Sequence, residues 1–125
     1  MKTQIEAPAT SSDGVRVSRD GTVLVAEHLV ALAVNGEVAA AAALVTLRLE
    51  PILALPAGPR DALLQTLDSW LRNWGARTVV ARELFVHPQT VSYRIRRVRE
   101  LLGDGLDDPA VRFELAVALT HERTR

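Results

Sequence analysis

The sequence predicts an all-α fold, a helical bundle containing a helix-turn-helix. Three observations carry that prediction. Aromatics are only 4% of the 125 residues while 48% are hydrophobic, so the interior is built from Ala, Leu and Val, which suits helices better than a β-sandwich. Apolar residues recur at helical spacing through most of the chain. Proline and glycine stand at the ends of those patterns, at Gly58-Pro59, Gly75, Pro88 and Asp108-Pro109.

Residues 1–21 are assigned as a flexible lead-in or the remnant of a preceding domain, being rich in Ser, Thr, Ala, Asp and Gly. Residues 22–125 are assigned as the helical domain, with the helix-turn-helix at about 78–102. At the junction, Val15, Val17, the Asp20-Gly21 pair and Val23 to Val25 fit a short N-terminal hairpin or strand remnant. Glu27 to Val34 reads as a buried helix closed by Asn35-Gly36, and Glu37 to Leu47 as an Ala-rich helix running up to an interruption at Pro51. Gly58-Pro59 opens a helix carrying Leu63, Leu67, Trp70, Leu71 and Trp74, with Gly75 as its left-handed stop. Asp108 caps a last helix, whose stripe is Val111, Leu115 and Leu119.

Between Gly75 and Leu102 two short helical patterns nearly touch. Thr78 is placed to cap the first, which holds Val79, Val80, Ala81 and Leu84. Phe85-Val86-His87 forms the turn, and Pro88 takes the first position of a second helix reaching Leu102. Ala81 is small where the helices must cross, while Val86 and Val91 close the turn on the first helix. At ~100° per residue, Val91, Ile95, Val98 and Leu102 form one core stripe. Opposite it lie Gln89, Tyr93, Arg96 and Arg97, flanked by Thr90 and Arg94 on one side and by Ser92 and Arg99 on the other.

That outward face is rich in donors suited to duplex DNA. Guanidinium groups neutralise phosphates or bridge guanine edges, Gln pairs with adenine, and hydroxyls donate to phosphate oxygens. His87, Gln89 and Thr90 stand where a recognition helix first meets base edges in the major groove, and Arg96 and Arg97 are placed to hold the backbone. Ser92, Tyr93 and Arg94, with Arg77, Thr78 and Arg82 on the first helix, complete the candidate DNA-binding set. The fifteen basic and fifteen acidic residues balance, but Arg77 to Arg99 contains Glu83 as its lone acid, and the opposite bias follows in Glu100, Asp104, Asp107 and Asp108.

Other classes find less support. With no cysteine there is no disulfide framework or thiolate zinc site. His28, His87 and His121 lack metal-ligand spacing, and Gly103-Asp104-Gly105 lacks the alternation and distal glutamate of a calcium loop. Neither a nucleophile elbow nor a phosphate-cradling loop is present, so neither enzymatic activity nor a cofactor is expected. The N-terminus lacks a signal-peptide pattern, and Val38 to Leu47 is too short to span a bilayer, which points to the cytoplasm. One rival stays open: a protein–protein interaction or dimerisation module with an incidental basic helix. Short motifs of this kind usually read two half-sites as dimers, so a homodimer is expected.

The run from Leu84 to Gly103, with its Thr90-Val91-Ser92-Tyr93-Arg94 core, resembles the C-terminal DNA-binding domain of PucR-type bacterial transcriptional regulators. Arg48 to Pro56, Leu63 to Leu71 and Asp107 to Leu119 resemble the flanking segments of actinobacterial members, so the likeness spans about residues 22–121. It implies a transcription regulator whose helix-turn-helix follows a sensory domain that this sequence lacks. Two departures stand out. Ser92 replaces an arginine common in relatives, which implies weaker phosphate anchoring, and Phe85 occupies a turn position where a smaller or polar residue is usual.

Overall fold

The structure, a computed structural model, describes residues 21–124. Among them are six helices and no strand: α1 (Gly21–Val34), α2 (Val38–Leu53), α3 (Ala57–Arg72), α4 (Arg77–Leu84), α5 (Pro88–Leu102) and α6 (Pro109–Thr124), with a 3₁₀ turn over Gly103–Asp107. The N-terminal hairpin is therefore corrected in part. Val23 to Val25 lie in the first turns of α1, while residues 15–20 fall outside the described residues. β-Branched residues cost a helix only a few tenths of a kcal/mol each, and the packing of α1 on α2 and α6 overrides that preference.

α1 turns into α2 through Asn35-Gly36. Gly36 is left-handed at φ 95°, and the Gly36 and Glu37 amides donate to the carbonyls of Ala33 and Leu32, satisfying the last turn as a left-handed glycine cap does. Over its described side chains α1 is half-buried to exposed, less covered than its apolar sequence predicts. α2 buries Ala40, Ala41, Leu44, Val45, Leu49 and Ile52 on one stripe against α6 and α1. It also passes through Pro51, where the sequence predicts an interruption. The ring is exposed two residues before the helix end, so it costs one main-chain hydrogen bond, and the Ala54 amide still reaches the Glu50 carbonyl at 3.0 Å.

α3 opens earlier than the Gly58-Pro59 signal implies, with Pro56 at its cap and Pro59 in the third helical position. An amide there has no partner within the helix, so proline is tolerated. The core joins Leu44, Leu49 and Ile52 of α2, Leu67 of α3, Val80 of α4, Val91 and Val98 of α5, Leu106 of the 3₁₀ turn and Leu115 of α6, all nearly free of solvent. The two-helix corner of α4 and α5 is thus one wall of the bundle. Asp108 Oδ1 accepts from the Ala110 amide at 2.9 Å, the cap the sequence predicts for α6. Arg48 of α2 donates to Oε1 of Glu114 on α6 from Nε at 2.7 Å and Nη2 at 2.6 Å, inside the bundle. No helix among the described residues is long and apolar enough to cross a membrane.

Candidate nucleic-acid interface

α4 begins one residue before the expected cap. Ala76 is its N-cap, with no side-chain hydrogen bond, and Thr78 is the second helical residue. The correction has a local cause: Trp74 and Gly75 are both left-handed, at φ 55° and 76°, and turn the chain straight into the helix. A Cβ on Gly75 would lie 3.1 Å from Cζ2 of Trp70, so this position needs glycine both for its φ and for space. The first amides of α4 are left without a side-chain acceptor at an exposed end, with Arg77 and Thr78 beside them.

α4 ends at Leu84, and Phe85 takes a left-handed conformation. The Phe85 and Val86 amides donate to the carbonyls of Arg82 and Ala81. His87 then caps α5, its Nδ1 accepting from the Gln89 amide at 3.1 Å, and Pro88 occupies the first turn. The acceptor role of Nδ1 leaves Nε2 to carry the donor outward. Ala81, Val91, Ile95 and Val98 are buried and Val86 and Leu102 half-buried, matching the predicted crossing and stripe.

The candidate side chains divide into three groups. Gln89, Tyr93 and Arg96 are exposed along α5, with Tyr93 60% accessible, and His87 and Arg82 are exposed nearby. Arg82 and Arg96 form no side-chain hydrogen bond or ion pair among the described residues. A second group is engaged at the surface: Arg77 Nη1 donates to Ser92 Oγ at 3.1 Å, linking α4 to α5, and Arg97 pairs with Glu100 at 3.3 Å. Thr90 is half-buried. Arg94 forms the third group, for its guanidinium turns inward and donates to Oγ1 of buried Thr66 on α3 at 3.2 Å.

Glu83, the lone acid between Arg77 and Arg99, is held by its own fold. It accepts from Ser69 Oγ at 2.6 Å, Arg72 Nη1 at 2.9 Å and Asn73 Nδ2 at 2.8 Å. Those donors, Ser69 foremost, then Arg72 and Asn73, hold its carboxyl below the usual glutamate range. Arg72 is raised in turn, chiefly by Glu83. Asp68 extends the network to α6, accepting from Arg72 at 3.1 Å and Arg123 at 2.6 Å. By sequence Glu83 is only a stray negative charge; a serine near the end of α3 and the asparagine just past it are the one local hint of its partners.

Trp70 adds a feature that helical spacing does not reveal. The guanidiniums of Arg99 and Arg112 stand over its ring at 5.7 Å and 5.6 Å, and Arg99 also pairs with Asp107 at 3.0 Å. No group of His, Asp or Glu that could hold a metal ion occurs among the described residues.

The family described as the PucR C-terminal helix-turn-helix domain matches residues 63–120, which take in α4 and α5 and most of α3 and α6. The chain is similar to uncharacterized proteins of Mycobacterium tuberculosis (strain ATCC 25618 / H37Rv) and Mycobacterium bovis (strain ATCC BAA-935 / AF2122/97). Each is 40% identical over 98 residues, 78% of this chain and 23% of the relative. It is also similar to the purine catabolism regulatory protein of Bacillus subtilis (strain 168), 39% identical over 63 residues, 50% of this chain and 12% of that protein. The chain therefore spans about a quarter, or less, of the length of these relatives.

Proposed function

We propose, on the match of residues 63–120 to the PucR C-terminal helix-turn-helix domain, that the chain is a DNA-binding transcriptional regulator that lays α5 in the major groove. The observation that carries this reading is the exposed strip Gln89, Tyr93 and Arg96, on a helix whose opposite stripe is core. Gln89, with His87 and Thr90 beside it, meets base edges at the start of α5. Arg96 and Arg97 hold phosphates. Across the groove, the uncapped end of α4, with Arg77 and Thr78, receives a phosphate of the opposite strand, where free amides and the helix dipole favour an anion, and Arg82 in the last turn adds positive charge to the same helix. Ser92 and Arg94 serve this surface by position: Ser92 anchors Arg77, and Arg94 fixes α5 to α3.

The protein acts in the cytoplasm as a homodimer, because one short recognition helix binds weakly and two copies read half-sites about one turn of DNA apart. Selection of bound sites from random duplexes at near-physiological salt tests the whole reading. A recovered palindrome with half-sites at that spacing is the expected result, and recovery of no duplex above background refutes it. On the selected site, Gln89→Ala is expected to cost ~1–3 kcal/mol while leaving random DNA untouched. Arg96→Ala weakens binding to all sequences and lowers the slope of log K against log salt by ~1. Equal losses on both DNAs for Gln89→Ala would move it to the backbone-contacting group.

A further inference from the structure

Two aromatic side chains lie exposed where the end of α3 meets the start of α6. Trp74 is 85% accessible on a left-handed backbone, and Phe113 is exposed beside it. With Leu71, Pro109, Arg112 and Ala116 they line a groove of about 400 Å³ that holds one guanidinium and no carboxylate. Arg112 forms no ion pair among the described residues and rests on Trp70, whereas Arg99 on the same ring is taken by Asp107. Trp74 lies three residues before Arg77 at the start of α4, and Gly75 between them lies against the Trp70 ring on which Arg112 rests.

We infer that this groove extends the DNA interface past the helix-turn-helix, Arg112 taking a backbone phosphate and Trp74 packing on the adjoining deoxyribose. A second copy of the chain is a poorer occupant. Self-association would enclose Arg112 in an apolar environment with no carboxylate in the groove to answer its charge, which is costly. A phosphodiester supplies that charge, and the sugar face beside it supplies apolar surface for the indole. The stack on Trp70 holds the guanidinium in place before DNA arrives, so less side-chain freedom is lost on binding. The inference rests on the DNA-binding reading above.

The test uses the full chain and a duplex of about two helical turns, with tryptophan emission as one readout and salt-dependent affinity as the other. Duplex is expected to perturb the wild-type emission, and Trp74→Phe, which keeps only Trp70, is expected to lose most of that response. Trp74→Ala weakens binding about fivefold on specific and random DNA alike, as expected when a small apolar area is no longer shielded from water in the complex. Arg112→Gln lowers the salt slope by ~1, and Arg112→Lys restores it. Circular dichroism checks that each variant is folded. Wild-type DNA binding with unchanged affinity and slope in Trp74→Ala and Arg112→Gln overturns the inference while leaving the proposed function standing. So does a Trp74→Ala variant that alters only self-association in sedimentation. Failure of the wild-type chain to bind any duplex sinks both.

Discussion

Phe85 closes α4 at φ 58° with its ring 94% exposed. A left-handed conformation costs a side-chain-bearing residue roughly 1–2 kcal/mol, and the bare ring gains almost no burial in return. Phe85→Gly is accordingly expected to raise stability by about 0.5–1 kcal/mol, because relief of strain exceeds the extra unfolded-state entropy of glycine. Urea unfolding measures it, and a destabilised variant would show that the ring packs somewhere in solution. Periodicity alone marks Trp74 as a continuation of the α3 stripe, yet it lies 85% exposed, since α3 ends at Arg72 and the wheel no longer applies. Arg94 is the converse case. Its place on the flank of the wheel is legible in the sequence, but the turn of its guanidinium towards Thr66 depends on how closely α3 approaches.

Between elements, Glu83 fastens α4 to the end of α3, and so sets how the helix-turn-helix stands on the bundle. Its carboxyl is held low in the folded chain, below the 4.5 of an unperturbed glutamate that it regains when unfolded. The stability it contributes is therefore present above the unfolded value and is lost as pH falls through the folded one. Wild-type stability is expected to drop on acidification below about pH 4–5, and Glu83→Gln to be less stable at neutral pH with a flatter profile in that window. Thermal unfolding from about pH 3 to about pH 7 decides it, and parallel wild-type and variant profiles would exclude the carboxylate. Pro88 and Asp108 announce their helices correctly because caps act within three or four residues. Thr78 misleads for a related reason: the preceding left-handed pair has already started α4, so a good capping residue comes two positions too late.

For the molecule as a whole, α1 and α2 meet the rest of the domain chiefly at α6, α2 also packing on α5 and α3, and the Arg48–Glu114 pair lies across the α2–α6 contact. The Glu114 side chain is 3% exposed and that of Arg48 18%, so removing one partner strands a charge inside the bundle. Arg48→Ala is expected to cost ~3–5 kcal/mol, whereas replacing both with apolar residues of similar volume is close to neutral. Chemical denaturation of the single and double variants tests this; a single-variant loss below ~1 kcal/mol would mean that water reaches the pair.

The all-α class, the positions of α3 to α6 within a few residues, the turn at Phe85 to His87 and the core stripe of α5 were all determined by sequence, because periodicity, caps and turns act between residues close along the chain. Tertiary structure alone decided the rest. It drew Val23 to Val25 into α1 and carried α2 through Pro51. It paired Arg48 with Glu114 across 66 positions, turned Arg94 inward and set Arg99 and Arg112 on one indole. Those outcomes depend on which surfaces meet once helices pack, and a side chain's partner there is chosen by distance in space, for which separation along the chain is no guide.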